Sequence, residues 1–319
     1  MKLNLTICIP TYNRPDLLSE CLDSVIYSIS LSKSNVKILV SDNCSDLSCE
    51  KIIDEKKNRF SNIQYFRNKK NVRDLNFYLC AKRAKTEYVW IFSDDDIMKE
   101  NSILTLEKLV EKGDNLIVCN YSLFDYSLNK CLKKNFFKTN KKKNYNDCEE
   151  VMRNFGFRLS FLSCIIFKRK HFLKLPESTF SEHVKYQFPF LLSIYYMIKN
   201  HCKLKFIETT LIIQRANKVH AKKEWWYKIF VNGSNKIFKF LNNLGYSNSS
   251  IRFAKRKMIY EDIINDLVLR RLNNESLINK SILIIKNYYN YPFELILMLI
   301  VIFLPRILII TAYKLYKIG

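Results

Sequence analysis

Short apolar runs, each closed by a turn or polar residue, alternate with segments of helical spacing through the first 120 residues. Residues 3–9 (Leu-Asn-Leu-Thr-Ile-Cys-Ile) predict a buried strand, ended by Pro10 because proline brings no backbone donor to a ladder. Pro15 and Asp16 suit a helix start, and Leu17, Leu18, Cys21, Leu22 and Val25 then recur on one helical face. Residues 36–41 predict a second strand that runs into Asp42-Asn43, and residues 63–66 a short third. Asp74 is placed to cap a helix through Ala84, with Leu75, Tyr78, Leu79 and Lys82 around it. A fourth strand over 88–92, a helix over 102–112 ending near Gly113 and a strand over 115–121 complete the series. Strands alternating with helices predict an α/β fold with a doubly wound, mostly parallel sheet. Ligands of such sheets bind where the strands end.

Beyond residue 121 the pattern changes. Lys130 to Asn146 holds seven lysines and predicts a mobile exposed loop or lid. Residues 147–220 mix strands and helices, whereas 221–290 predict helices with basic clusters at Lys222-Lys223, Lys255-Arg256-Lys257 and Arg270-Arg271. Leu295 to Leu304 is an unbroken apolar run of ten, interrupted by Pro305-Arg306 before Ile307 to Ile310. A spanning helix needs about 20 apolar residues. The run is short of that, and the trailing Tyr313, Lys314, Tyr316 and Lys317 suit an interfacial edge, so association with a membrane surface is expected.

Composition narrows the classes. An apolar fraction of 48% and an aromatic fraction of 14% exclude disorder. Only five glycines occur, and no Gly-x-Gly-x-x-Gly or Walker-type loop is present. The ten cysteines are scattered without a Cys-x-x-Cys pair, which fits reduced thiols. Met1-Lys2 leads straight into a strand too short for a secretory h-region. Residues 1–120 hold 18 basic and 17 acidic residues, so almost all of the net charge of +23 lies beyond them. A basic surface of this kind attracts anionic lipid, nucleic acid or a phosphate-bearing acceptor.

The chemistry gathers at three predicted strand ends: Pro10 to Arg14, Asp42 to Asp46 and Ser93 to Asp96. Asp94-Asp95-Asp96 follows Tyr88-Val89-Trp90-Ile91-Phe92 directly. Extended backbone would put Asp94 and Asp96 on one face and Asp95 on the other. Crowded carboxylates raise one another's pKa unless a cation offsets them, and a hard divalent ion bridging substrate phosphates would do so.

With those three ends in place, the first 120 residues resemble the family-two inverting glycosyltransferases of the GT-A fold. The matching segments are Cys8-Ile9-Pro10-Thr11-Tyr12-Asn13-Arg14, Val40-Ser41-Asp42-Asn43-Cys44-Ser45-Asp46 and Phe92-Ser93-Asp94-Asp95-Asp96. The resemblance implies that Pro10, Thr11, Tyr12 and Arg14 line a nucleotide pocket and that Asp42 accepts a hydrogen bond from the base imide of a UDP or dTDP donor. It implies that Asp94, Asp95 and Asp96 hold Mn²⁺ or Mg²⁺ on the diphosphate, with Asp94 also touching the nucleotide. Many relatives have Asp where this chain has Ser93, which blurs the ligand register. The family's base is an Asp or Glu some 80–100 residues farther on. Glu182 falls in that window, with Glu177 and His183 as rivals, and Gln214-Arg215 and Asn217 are further candidates for diphosphate or sugar contacts.

The second half looks similar to enzymes that build O-antigen or capsule repeat units. The expectation is a metal-dependent sugar transferase acting on a lipid-linked saccharide at the cytoplasmic face of the inner membrane, peripheral or tail-anchored. Its expected divisions are a nucleotide-sugar half over 1–120, an acceptor half over 121–220, and a helical basic region over 221–319. A nucleic-acid-binding protein is disfavoured because the positive charge avoids the α/β half, and no nucleic acid is expected as a partner. A non-catalytic scaffold of the same fold is the other alternative. A nucleotidyltransferase is weaker still, for want of a Gly-rich triphosphate loop.

Overall fold

The computed structural model describes residues 4–111, 113–138, 142–186, 188–216 and 227–318. The chain divides into two units, one of residues 1–148 and 159–221, the other of 149–158 and 222–319.

The first unit is built on a ten-stranded sheet. Its strands are β1 (Leu5–Thr11), β2 (Lys37–Asp42), β3 (Ile63–Arg67), β4 (Tyr88–Ile91), β5 (Ile97–Met98), β6 (Leu116–Phe124), β7 (Cys131–Lys133), β8 (Asn144–Tyr145), β9 (Ile165–Lys168) and β10 (Leu204–Arg215). The order is β3-β2-β1-β4-β9-β6-β10-β5, with β7 added to β6 and β8 to β10. β1 to β4 run parallel, β9 enters antiparallel between β4 and β6, and β10 is parallel to β6. β1 is central and buried along nearly its whole length, which explains its continuous apolar run.

Register fixes the site. Thr11 pairs with Asp42 and Asp42 with Arg67, so β1, β2 and β3 end level. β4 stops at Ile91 opposite Cys8, and the chain continues beside Pro10 and Thr11, with the Phe92 N–H donating to the Cys8 carbonyl at 2.8 Å. β5 pairs antiparallel with β10, Ile97 against Ile213, which lays Arg215 back over Asp95. Trp90 is buried and donates from Nε1 to the Ser163 carbonyl at 2.7 Å.

The second unit is helical. It contains Ser234–Asn243, Asn248–Met258, Asn265–Leu272, Ser281–Tyr288, Pro292–Phe303 and Arg306–Ile318. Ser247 caps the second of these through the Ser250 N–H, and Glu149 accepts from both the backbone N–H and the hydroxyl of Ser247. Among the described residues no single helix is long and apolar enough to cross a membrane. Pro292–Phe303 and Arg306–Ala312 reach that composition only together, bent by 117°.

Three expectations change. Residues 149–158, read as part of the acceptor half, belong to the helical unit. Asp74 does not cap its own helix, Leu75–Arg83; its carboxylate accepts instead from the Phe188 N–H at 3.2 Å. The Lys130–Asn146 stretch is anchored rather than a free lid: Phe137 is buried, Asn120 bonds both the N–H and the carbonyl of Phe137, and Phe136 stacks on Tyr121 at 4.4 Å. Residues 139–141 of that stretch, and the Lys222-Lys223 pair, lie outside the described residues. A helix over Glu50–Lys57, too polar to stand out by periodicity, completes the first unit's early half.

Candidate active site

The Asp94–Asp96 segment is a turn, not a strand. The Asp96 N–H donates to the Ser93 carbonyl at 3.3 Å, so strand alternation ends before the carboxylates. The predicted facing is therefore corrected: Asp94 and Asp95 share one partner and Asp96 points inward. The Arg14 guanidinium reaches Asp94 Oδ1 at 3.2 Å and Asp95 Oδ2 at 2.9 Å. The Thr11 hydroxyl donates to Asp94 Oδ2 at 2.7 Å, and the Ser93 hydroxyl to Asp95 Oδ1 at 2.6 Å. Burial pushes the Asp94 carboxyl up to about 6, even though Arg14 opposes the shift. Arg14 is itself held charged: burial works against it, and Asp94 and Asp95 outweigh burial to raise its pKa.

Asp96 is 1% exposed, accepting from the Ser163 hydroxyl at 2.6 Å and the Arg215 N–H at 3.3 Å. Burial, then the neighbouring Asp95, raises its carboxyl well above the usual carboxylate range. Asp96 thus lies beneath the turn, with each carboxylate oxygen held by a donor of the protein. Arg215 is the other support, donating from Nε to the Asp95 carbonyl at 3.0 Å, from Nη1 to the Tyr126 carbonyl at 2.8 Å and from Nη2 to Glu20. The sequence offered Arg215 as a diphosphate contact; the structure makes it a brace. Gln214 precedes it, half-buried, and Asn217 lies outside the described residues.

At the neighbouring strand ends, Asn13 sits in the left-handed region with φ 54, a conformation asparagine tolerates. Its side chain donates to Asp46 Oδ2 at 2.9 Å and accepts from the Asp46 N–H at 2.7 Å, tying the two loops together. Tyr12 is exposed and Pro10 half-buried at the cleft edge. Asp42 is 0% exposed. Its Oδ1 accepts from the Ser45 N–H at 2.8 Å, and its Oδ2 from the Tyr65 hydroxyl at 2.7 Å, with Arg67 at 3.6 Å. The protein's own donors already hold the carboxylate expected to meet a base.

The three base candidates share the helix Glu177–His183, which packs on Leu75–Arg83 through Phe180 against Tyr78 at 5.3 Å. Glu177 is paired with Lys82 at 2.8 Å, and His183 donates from Nδ1 to the Thr179 carbonyl at 2.8 Å within its own helix. Glu182 is exposed. Sequence spacing missed Asp74. Burial raises its carboxyl to about 6, and it holds the Phe188 N–H, a residue whose φ is 55.

The family model of glycosyl transferase family 2 matches residues 6–169, just over half of the chain. The chain belongs to this family. The abequosyltransferase RfbV of Salmonella typhimurium is 32% identical over 118 residues, 36% of this chain and 35% of that protein. The glycosyltransferase GlyG of Streptococcus pneumoniae serotype 4 is 28% identical over 127 residues, 39% of this chain and 40% of that protein. The chain therefore matches well under half the length of either curated relative. Among solved structures, S. aureus TarS 1-349 in complex with UDP superposes with a TM-score of 0.58 at 11% identity, covering 84% of this chain and 75% of that one. The mannosyltransferase PcManGT from Pyrobaculum calidifontis, in complex with GDP-Man and Mn²⁺, gives 0.56 at 12% identity over 94% and 86%. At these identities the likeness shows the fold, the expected GT-A type.

Asp95, partly exposed, and the buried Asp94 beside it supply hard oxygen donors at the carboxyl end of β4. Among the described residues no group of three or more His, Cys, Asp or Glu is arranged to hold a metal ion. The donor set fits Mg²⁺ or Mn²⁺ as a partial shell, finished by phosphate oxygens and water, which is how Mg²⁺ is commonly held.

Proposed function

We propose that the chain transfers a sugar, with inversion, from a UDP- or dTDP-type donor to a lipid-linked saccharide during synthesis of a bacterial surface polysaccharide, at the cytoplasmic face of the inner membrane. The observation that carries this reading is the joined cluster of Thr11, Arg14, Asp94 and Asp95 at the carboxyl ends of β1 and β4. A relative named as an abequosyltransferase and structural neighbours solved with UDP, UDP-GlcNAc and GDP-Man support a nucleotide-sugar donor.

In an inverting transfer the acceptor oxygen attacks the anomeric carbon as the bond to the diphosphate breaks on the opposite side. A single base removes the hydroxyl proton. Negative charge grows on the leaving diphosphate, and fixed cations near it lower the barrier. Arg14 is such a cation, locked by two carboxylates. Asp94 and Asp95 would hold a divalent ion, whose charge would stabilise the same leaving group. Thr11 fixes the Asp94 carboxylate, while Ser163 and Arg215 fix the turn below it. We assign the base role to Glu182, because Glu177 is committed to Lys82 and His183 to its own helix.

Turnover measured on nucleotide sugars with Mn²⁺ tests the reading. Glu182→Gln is expected to lower kcat by roughly 10²–10⁴-fold with unchanged affinity for the nucleotide. Glu177→Gln should stay within about threefold of wild type, since it loses an exposed ion pair. A Glu182→Gln enzyme of normal kcat would remove Glu182 from the mechanism.

A further inference from the structure

The helix Pro292–Phe303 is apolar on its outward face as well as on its inward one. Its only charged residue, Glu294, faces inward and is 2% exposed, beside the equally inward Met298 and Ile302. Its outward positions are Phe293, Ile296, Leu297, Ile300 and Phe303, spaced as one helical face and all exposed, Phe293 at 72%. Ile282 and Ile285 of the preceding helix, Ser281–Tyr288, Tyr289 just after it, and Ile307 and Leu308 of the following helix are exposed as well. Exposed apolar surface of this extent marks an interaction face.

Charge says which partner it fits. From Ser281 to Gly319 the chain has one acidic residue, Glu294, and that carboxylate is withdrawn and paired with Arg256 Nε at 3.0 Å. Cations stand at both ends of the stripe. Lys286 is exposed on the preceding helix, while Lys255, half-buried 4.9 Å from the Tyr291 ring, has its pKa lowered by burial to about 8. Arg271 and Arg306 bond the carbonyls of Leu304 and Leu272 around the break, each at 2.8 Å. Two copies meeting face to face would oppose like charges without an outward carboxylate to offset them, whereas an anionic headgroup layer complements them. The helix is too short to cross alone: 12 residues rise about 18 Å against about 30 Å of hydrocarbon, and the next helix departs from its axis by 117°.

We propose that this outward face lies in the plane of an anionic lipid surface, with Phe293, Ile296, Ile300 and Phe303 inserted and the flanking Arg and Lys residues at headgroup level. The proposal concerns the helical unit alone and does not depend on the transfer reaction. Flotation of the full chain with phosphatidylcholine vesicles carrying about 30% phosphatidylglycerol tests it. The wild-type chain is expected to float with these vesicles and roughly tenfold less with phosphatidylcholine alone. Phe293→Glu combined with Ile300→Glu should lower partitioning by a further factor of roughly ten or more, with the melting temperature retained because both positions are exposed. As a second reading that leaves the face apolar, Phe293→Trp should show a blue-shifted emission when anionic vesicles are added. Absence of flotation, flotation of the double variant at the wild-type level, an unshifted tryptophan, or a dimer that the double variant splits would each overturn the proposal, the last in favour of a second copy.

Discussion

Replacing Asp94 by Asn is expected to abolish transfer, by roughly a thousandfold or more, and at the same time to raise the melting temperature at pH 8. The two effects share one cause. Asp94 sits where a cation is wanted and the folded protein alone supplies too little positive charge: burial raises its carboxyl to about 6 although Arg14 and Thr11 both favour the ionised form. An unfolded aspartate releases its proton near 4. Between about pH 4 and 6 the folded state binds more protons than the unfolded state, so stability falls as pH rises through that window. Above it the charged form is a standing cost, which Asn removes. The gain is expected to be about 1–3 kcal/mol at pH 8 and to shrink toward zero below pH 4. Thermal melts of both proteins at the two pH values, with turnover at pH 8, check it. An active variant, or one equally destabilised at every pH, would show that Asp94 is a structural residue.

Arg215→Ala is expected to be among the most damaging substitutions away from the chemistry, costing about 2–4 kcal/mol. The side chain is buried and braces the Asp95 carbonyl, the Tyr126 carbonyl and Glu20. Its loss leaves the Asp95 and Tyr126 carbonyls without these donors, whereas the half-exposed Glu20 turns to water. The turn carrying Asp94 and Asp95 would lose its support, so nucleotide affinity should fall along with stability. Arg215→Lys should recover little, because one ammonium cannot match three diverging donors. Denaturant unfolding monitored alongside nucleotide titration measures both effects. A normal unfolding midpoint would contradict the bracing role.

Much of the first unit was legible because its strands are buried on both faces and read as unbroken apolar runs between turn residues, as Leu5–Ile9 and Tyr88–Phe92 do. The convergence of three polar strand ends was legible too, since parallel β1, β2 and β4 must end on the same side. Facing within the acidic triplet was not. Alternation holds only while the backbone stays extended, and here it turns at Asp94 and Asp95. Roles that depend on distant partners were equally hidden: Ser163 and Arg215 reach the triplet across 67 and 119 residues of chain. Asp74 illustrates the same limit. Locally it reads as a helix cap, yet its carboxylate goes to Phe188, 114 residues away. The inward Glu294 was unreadable because the helix bearing it is apolar on every side, so periodicity could not say which face is covered.

Asp94 and Asp95 are proposed to hold a divalent ion on the diphosphate of a nucleotide sugar, and the stabilisation of the leaving group proposed above depends on that. Calorimetric titration of UDP and dTDP into the full chain, with and without Mn²⁺, tests it most directly, with Asp95→Asn as the comparison because Asp95 is less buried than its neighbours and its loss should leave folding intact. The prediction is measurable binding of at least one nucleotide that strengthens roughly tenfold or more with Mn²⁺ and loses that gain in Asp95→Asn. No heat from either nucleotide under any condition, or a metal effect untouched by Asp95→Asn, would contradict it.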